Sequence, residues 1–164
     1  MKLRKMTHIS ILSGLSLIIY VLESQIPPVI PVAGVKLGLA NVVTLYAKVT
    51  LGRKAAFFVL MTKIFLGNLF TGSVVSLFYS LLGGLLCFLA EIIMFRIVTK
   101  EQMWAVSITG AIFHNIGQVI AAIVLMGTEK ILWYLTILVP VGIITGAFTG
   151  LVATYTLKAM TNKR

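Results

Sequence analysis

The sequence contains no aspartate, and glutamate is its only acidic residue, at Glu23, Glu91, Glu101 and Glu129. Magnesium-dependent diphosphate chemistry that uses aspartate-rich motifs is therefore excluded. The single cysteine, Cys87, excludes an intrachain disulfide, and no Cys/His cluster has zinc-ligand spacing. A P-loop and a Gly-x-Ser-x-Gly elbow are also absent, so the chain cannot hydrolyse ATP by itself. We expect no catalytic residues, no cofactor and no metal ligands, and hence no enzymatic activity.

Charge is scarce and hydrophobic residues are abundant. Charged residues make up 11% of the 164-residue chain and hydrophobic residues 59%, with a mean hydropathy of +1.06. These values lie outside the range of soluble domains and indicate an integral membrane protein. The net charge of +10 does not predict nucleic-acid binding, because the positive residues collect at the ends of apolar runs rather than on one face. We expect one membrane domain over residues 1–164.

The apolar runs predict an all-α bundle of six transmembrane helices. The predicted helices lie at about residues 8–22, 35–51, 54–70, 73–95, 104–126 and 131–157. The breaks between them contain glycine, proline or charged residues, as expected of turns. The boundary between the second and third helices is the least sharply defined.

The positive charges predict the orientation of this bundle. A cytoplasmic N-terminus places ten basic residues on the inside, at Lys2, Arg4, Lys5, Arg53, Lys54, Arg96, Lys100, Lys158, Lys163 and Arg164. The outside loops then contain only Lys36 and Lys130, so the positive-inside rule places both termini in the cytoplasm. We expect a multi-pass membrane protein, with Lys48 snorkelling to the inner surface and Glu91 at the inner boundary.

Small residues predict where helices pack. Gly142, Gly146 and Gly150 are spaced four apart in the sixth predicted helix, which allows another helix backbone to approach closely. Ser10 and Gly14 have the same spacing in the first helix and give a weaker prediction of a docking face for a partner.

Polar residues within the apolar runs predict a binding site. Lys63 lies near the middle of the third helix, where an ionisable group usually faces a bundle interior or a water-filled cavity. The predicted topology places further polar groups from the middle of the membrane outward, and the candidate substrate-binding residues are Lys63, His114, Asn115, Gln118, Asn41, Asn68, Glu23 and Lys36. Residues 24–34 contain three prolines and are a candidate lid, so we expect a site open to the outside.

Structural alternatives stay open for these residues. Asn115 and Gln118 are also suited to interhelical hydrogen bonds, and Lys63 to an ion pair with Glu23. His114 titrates near neutral pH and could carry a proton, which a proton-coupled carrier would use. We expect Lys63→Ala to weaken ligand binding more than Lys48→Ala.

Two segments resemble the signatures of a known family. Glu23 with the run PVAGVKLGLAN at 31–41, and the run GAIFHNIGQ at 110–118, are similar to motifs of small bacterial membrane proteins. That family carries the labels Gx transporter and heptaprenyl diphosphate synthase component I. It resembles the substrate-binding S components of energy-coupling factor (ECF) transporters, six-helix proteins that bind a micronutrient from outside. In this chain Lys63 replaces an expected arginine, which keeps the charge but loses bidentate recognition. Ser10-xxx-Gly14 likewise replaces the Ala-xxx-Ala docking patch of many S components.

The resemblance implies a function and an alternative. The first is a substrate-binding membrane subunit for uptake of a small micronutrient-like molecule, energised by an ECF coupling subunit with two ATPases. The alternative is an accessory membrane subunit of isoprenoid or quinone biosynthesis, with a prenyl- or quinone-pathway enzyme as partner. Membrane lipid surrounds the protein in both cases.

Overall fold

The computed structural model describes residues 2–25, 38–71, 74–99 and 102–161, and this part of the chain is all-α, as predicted. It contains six helices, α1 Lys2–Gln25, α2 Leu39–Thr50, α3 Arg53–Thr71, α4 Val74–Met94, α5 Met103–Met126 and α6 Leu135–Thr161. A 3-10 helix, Glu129–Tyr134, leads directly into α6. Helix α1 therefore begins at Lys2 rather than near His8, because its first turns extend beyond the apolar run. The predicted lid lies almost wholly outside the described residues, as does Lys36.

Within the described ranges, four segments are long and apolar enough to cross a membrane, at Leu3–Gln25, Val74–Met94, Met103–Met126 and Glu129–Met160. Helix α3 has 19 residues, but Arg53, Lys54 and Lys63 lower its hydropathy. Helix α2 has 12 residues, about 18 Å at the rise of an α-helix, whereas the hydrocarbon core is about 30 Å thick. The six helices of the described residues thus fit a multi-pass membrane protein, and six complete membrane crossings stay a prediction.

Helix α2 lies inside the bundle, packed against α1, α3 and α6. Its apolar side chains enter two separate cores. Val43 and Ala47 pack with Val59 and Ile64 of α3, and Leu45 packs in a cluster with Met103, Val106 and Ala153. Because α2 is enclosed on several sides, its buried polar side chains, Thr44 and Lys48, must find partners within the bundle.

The helices alternate in direction. Tyr20 of α1 touches Gly67 of α3, while Met6 and Phe58 line one groove near the starts of these two parallel helices. The hydroxyl of Tyr46 in α2 donates to Met160 Sδ at the end of α6, at 3.0 Å. This arrangement gathers at one end of the bundle the basic residues Arg4, Lys5, Arg53, Lys54, Arg96 and Lys158. We call it the basic end; the prediction that it faces the cytoplasm rests on the charge asymmetry alone.

Glycines of α6 lie directly against α5. A Cβ at Gly150 would lie 2.5 Å from Trp104 Cα, and one at Gly146 would lie 2.7 Å from Ile108 Cα. A Cβ at Gly142 would lie 2.6 Å from the side-chain nitrogen of Asn115. At Gly146 and Gly150 the α5 backbone itself leaves no room for a side chain, whereas at Gly142 the Asn115 side chain occupies that space.

Candidate functional site

Lys63 lies in the interior of the bundle, with its side chain directed toward α2. The residue is 5% exposed, and its ammonium donates a hydrogen bond to Asn41 Oδ1 at 2.6 Å. Among the described residues, this neutral amide oxygen is the one hydrogen-bond acceptor of Lys63. An ammonium group has three donors, and burying it with a single neutral acceptor is costly. Lys63 and Asn41, both predicted site residues, are therefore brought together, and the ammonium keeps capacity to bind an anionic or electron-rich group.

Glu23 contacts the start of α2 rather than Lys63, its partner in the ion pair considered above. Its carboxylate is buried and accepts a hydrogen bond from the backbone N–H of Gly38. Gly38 precedes α2 and has a φ of 73°, a left-handed conformation that favours glycine. The carboxylate thus lies at the N-terminus of α2, where the helix dipole favours negative charge. Glu23 holds α1 against α2, and no direct Lys63–Glu23 pair forms between these described side chains.

Lys48 and Glu91 form a buried ion pair between α2 and α4, with side-chain exposures of 2% and 5%. The predictions that Lys48 snorkels to the surface and that Glu91 is interfacial are wrong, because α2 is enclosed and directs Lys48 at α4. The Lys48 ammonium also donates to Phe88 O at 3.3 Å and lies 3.9 Å from the Phe88 ring centroid. The second carboxylate oxygen of Glu91 accepts a weak hydrogen bond from Cys87 Sγ at 3.6 Å.

Glycine in α5 makes room for this pair. A Cβ at Gly110 would lie 2.8 Å from Cγ and Oε1 of Glu91. The pair could have been found in the sequence, since Asn41, Thr44 and Lys48 are spaced to share one helix face. Such a polar stripe on a short, otherwise apolar helix indicates internal partners rather than a route to the surface.

A cavity of about 40 Å³ lies between α2, α4, α5 and α6. Its polar lining includes Asn41, Glu91, Ser107, His114, Asn115 and Thr149. A buried water needs roughly 10–15 Å³, so the cavity has room for a few waters, whereas ligand pockets usually measure about 300–1,000 Å³. A larger ligand would therefore require the helices around the cavity to separate.

A second space of about 10 Å³ is lined by several of the same residues, Asn41, Cys87 and Glu91 among them. Thr44 also lines it, and the Thr44 hydroxyl is buried without a hydrogen-bond partner in the described part of the chain. Because Asn41 and Glu91 border both spaces, polar groups run along α2 from Lys63 to the Lys48–Glu91 pair.

The three polar residues of α5 have separate surroundings. Asn115 donates to Leu138 O of α6 at 2.6 Å, an interhelical hydrogen bond of the kind considered as the structural alternative. His114 packs against Gly83 of α4 and lines the cavity. Gln118 is buried, and its Oε1 has no hydrogen-bond partner within the described ranges. The structure thus brings His114 and Asn115 to the cavity wall, and their roles in binding stay predictions.

Asn68 lies apart from the cavity, in a cluster between α1, α3 and α4. Its side-chain nitrogen donates to Ile64 O at 2.7 Å, and its oxygen accepts from the Tyr20 hydroxyl at 3.3 Å. The Tyr20 hydroxyl also lies 3.4 Å from Ser80 Oγ. Tyr20 could not be predicted as a member of this cluster, because a single tyrosine in an apolar helix gives no distinguishing signal.

Ser10 and Gly14, the predicted docking residues, line a groove between α1 and α3. The groove measures about 560 Å³, with Ile9, Leu17 and Leu66 among its apolar walls. A Cβ at Gly14 would meet no atom within 4 Å, in contrast to the α6 glycines. We refer to this feature as the α1–α3 groove.

These features define a multi-pass α-helical membrane protein with a charged and hydrogen-bonded interior. Residues 12–156 match a protein-family model described as heptaprenyl diphosphate synthase component I, and the chain therefore belongs to that family. No curated protein and no solved structure matches the chain. The comparisons thus establish the family, while the resemblance to ECF S components rests on the sequence motifs alone.

Proposed function

We propose that this chain is a non-catalytic membrane subunit that binds a small molecule in its interior and acts through partner proteins. The observation that carries the proposal is the buried ammonium of Lys63, which has one neutral acceptor, Asn41, among the described residues. A bound carboxylate, phosphate or carbonyl group would supply the missing acceptors. Asn41 and His114, which line the adjoining cavity, would add hydrogen bonds to the same molecule.

Access from the end opposite the basic end fits this arrangement. Gly38 lines the cavity and lies four residues after the predicted lid in the sequence, and Glu23 holds Gly38 against the last turns of α1. A second contact, the hydrogen bond from Ser16 Oγ to Ala40 O at 3.2 Å, also joins α1 to the first turn of α2. We propose that ligand binding separates α2 from α1 at this point and enlarges the cavity.

A prenyl diphosphate synthase is the first candidate partner, and the family description favours it. The chain itself has no aspartate, so it cannot carry the magnesium-binding motifs of such an enzyme. Its contribution would be to hold a soluble catalytic component, or that component's product, at the membrane. The basic end offers a positively charged surface for this purpose.

Uptake in the manner of an ECF S component is the second candidate, favoured by the position of the polar interior. Asn41, Gly38 and Glu23 lie toward the end opposite the basic end, which the charge asymmetry predicts to be outside. A coupling subunit with two ATPases would then provide the energy, since the chain has no P-loop.

Purification from native membranes followed by mass spectrometry tests both candidates. The protein would be tagged at its C-terminus and extracted gently, and co-purifying proteins and retained small molecules would be identified together. A prenyl- or quinone-pathway enzyme without ATPases supports the first candidate, and an ATPase pair with a coupling subunit supports the second. The Lys63→Ala variant should lose the retained molecule while Lys158→Ala, at the exposed end of α6, keeps it. Retention by both variants would remove Lys63 from the site.

A further inference from the structure

The α1–α3 groove opens toward the basic end. At the opposite end the two helices are in tight contact, since a Cβ at Gly67 would lie 2.5 Å from the Tyr20 ring. Nearer the basic end they diverge, and Gly14 faces open space. The groove volume of about 560 Å³ falls within the usual range for ligand pockets. A lipid-facing groove of this size accepts an apolar chain.

Two lysines continue the helix rows that line the groove toward the basic end. Lys5 lies one turn before Ile9, which lines the α1 wall, and Lys54 lies one turn before Phe58, which lines the α3 wall. Residues four apart share a helix face, so both lysines extend these rows. Both lysines are exposed. The described carboxylates lie elsewhere, Glu23 and Glu129 toward the other end and Glu91 buried in its pair with Lys48.

We propose that the α1–α3 groove binds a long-chain prenyl diphosphate, with the isoprenoid chain along the groove and the diphosphate between Lys5 and Lys54. This inference rests on the first candidate of the proposed function, a prenyl diphosphate synthase as partner. The charge complementarity carries it, because an apolar groove that ends at two ammonium groups fits an amphiphile with a compact, highly charged anionic head. A transmembrane helix of a partner would use Ser10 and Gly14 but would give the two lysines no role.

A binding titration with geranylgeranyl diphosphate tests this inference. The full chain, in nanodiscs of phosphatidylcholine, would be titrated with the diphosphate, with geranylgeraniol and with phosphatidylglycerol, and binding followed by native mass spectrometry. We expect the diphosphate to bind about tenfold more tightly than either the alcohol or the phospholipid, because only the diphosphate combines the chain with a multiply charged head. Equal affinity for the three would overturn the proposal.

Two variants locate the site. Gly14→Leu adds a side chain whose Cβ meets no atom within 4 Å, and it should weaken diphosphate binding by about tenfold because the side chain occupies the groove. Lys54→Gln should weaken diphosphate binding by about three- to tenfold and leave binding of the alcohol unchanged. The matched controls, Thr136→Leu on the exposed face of α6 and Lys158→Gln at its end, should bind as the wild type. The proposal would be overturned if Gly14→Leu and Lys54→Gln lost no more affinity for the diphosphate than the controls do.

The groove assignment and the proposed function can fail independently, because the binding titration tests the groove and the co-purification experiment tests the partner. Loss of a co-purifying membrane protein in Gly14→Leu, with diphosphate binding intact, would assign the groove to a partner helix instead. Specific diphosphate binding in a protein that co-purifies with ATPases would keep the groove assignment and refute the choice of partner.

Discussion

The buried pair Lys48–Glu91 should make the stability of this bundle depend on both residues together. We consider the isosteric change Glu91→Gln and the volume-conserving change Lys48→Met, singly and combined. Each removes one charge and leaves the other enclosed between α2 and α4, where side-chain exposure is 2% for the lysine and 5% for the glutamate. Neither change requires more space, which matters because Gly110 leaves no margin around Glu91.

The loss of stability in each variant depends on which charged group stays buried without its partner. Breaking a buried ion pair by removing one partner costs about 3–5 kcal/mol. Lys48→Met should reach this range, because Glu91 then retains only the weak contact with Cys87 Sγ. Glu91→Gln should cost less, since the Lys48 ammonium keeps Phe88 O at 3.3 Å and the Phe88 ring at 3.9 Å. The double variant should cost less than the sum of the two, by roughly 0.5–3 kcal/mol.

Reversible unfolding in mixed micelles would measure these differences. The free energy of unfolding would be obtained for the wild type, the single variants and the double variant, with helicity followed by circular dichroism. Lys158→Met, at an exposed position of α6, controls for the loss of a lysine. A buried, coupled pair would be refuted if the free energies of unfolding of the single variants lay within about 0.5 kcal/mol of this control and their effects added in the double variant.

Three further predictions concern helix packing and the polar interior. Gly150→Ala forces a Cβ to within 2.5 Å of the α5 backbone and should destabilise the protein by about 1–3 kcal/mol, whereas Gly14→Ala should be close to neutral in the same unfolding measurement. Asn115→Leu removes the hydrogen bond to Leu138 O and should lower stability by about 1–2 kcal/mol; a change of ligand retention without loss of stability would contradict a structural role. Lys63→Ala should abolish retention of the bound small molecule in native mass spectrometry, and unchanged retention would exclude Lys63 from the site.

The structure alters the choice of control for Lys63. The sequence favours Lys48→Ala as the comparison variant for Lys63→Ala, because Lys48 was expected to reach the inner surface. Because Lys48 is buried and paired, its replacement perturbs the fold as well as any ligand site. Lys158 is exposed near the end of α6 and is therefore the better comparison.

The polar interior could be predicted only in part. Lys63, Asn41, His114 and Asn115 are conspicuous because polar groups are rare in apolar helices, and the structure brings all four to the interior or the cavity wall. Their partners could not be predicted from spacing, since each partner belongs to another helix whose rotation is set by packing. Asn68 shows this limit, because it lies in a cluster with Tyr20 that is separate from the cavity.

The sequence by itself determined the class of this protein and the order of its helices. These properties follow from composition and from local runs, because lipid requires long apolar helices. Tertiary structure alone decided that α2 is enclosed, that Lys48 pairs with Glu91 and that Glu23 contacts the start of α2 rather than Lys63. Those outcomes depend on how closely helices approach, which the glycines of α5 and α6 permit but which no single segment specifies.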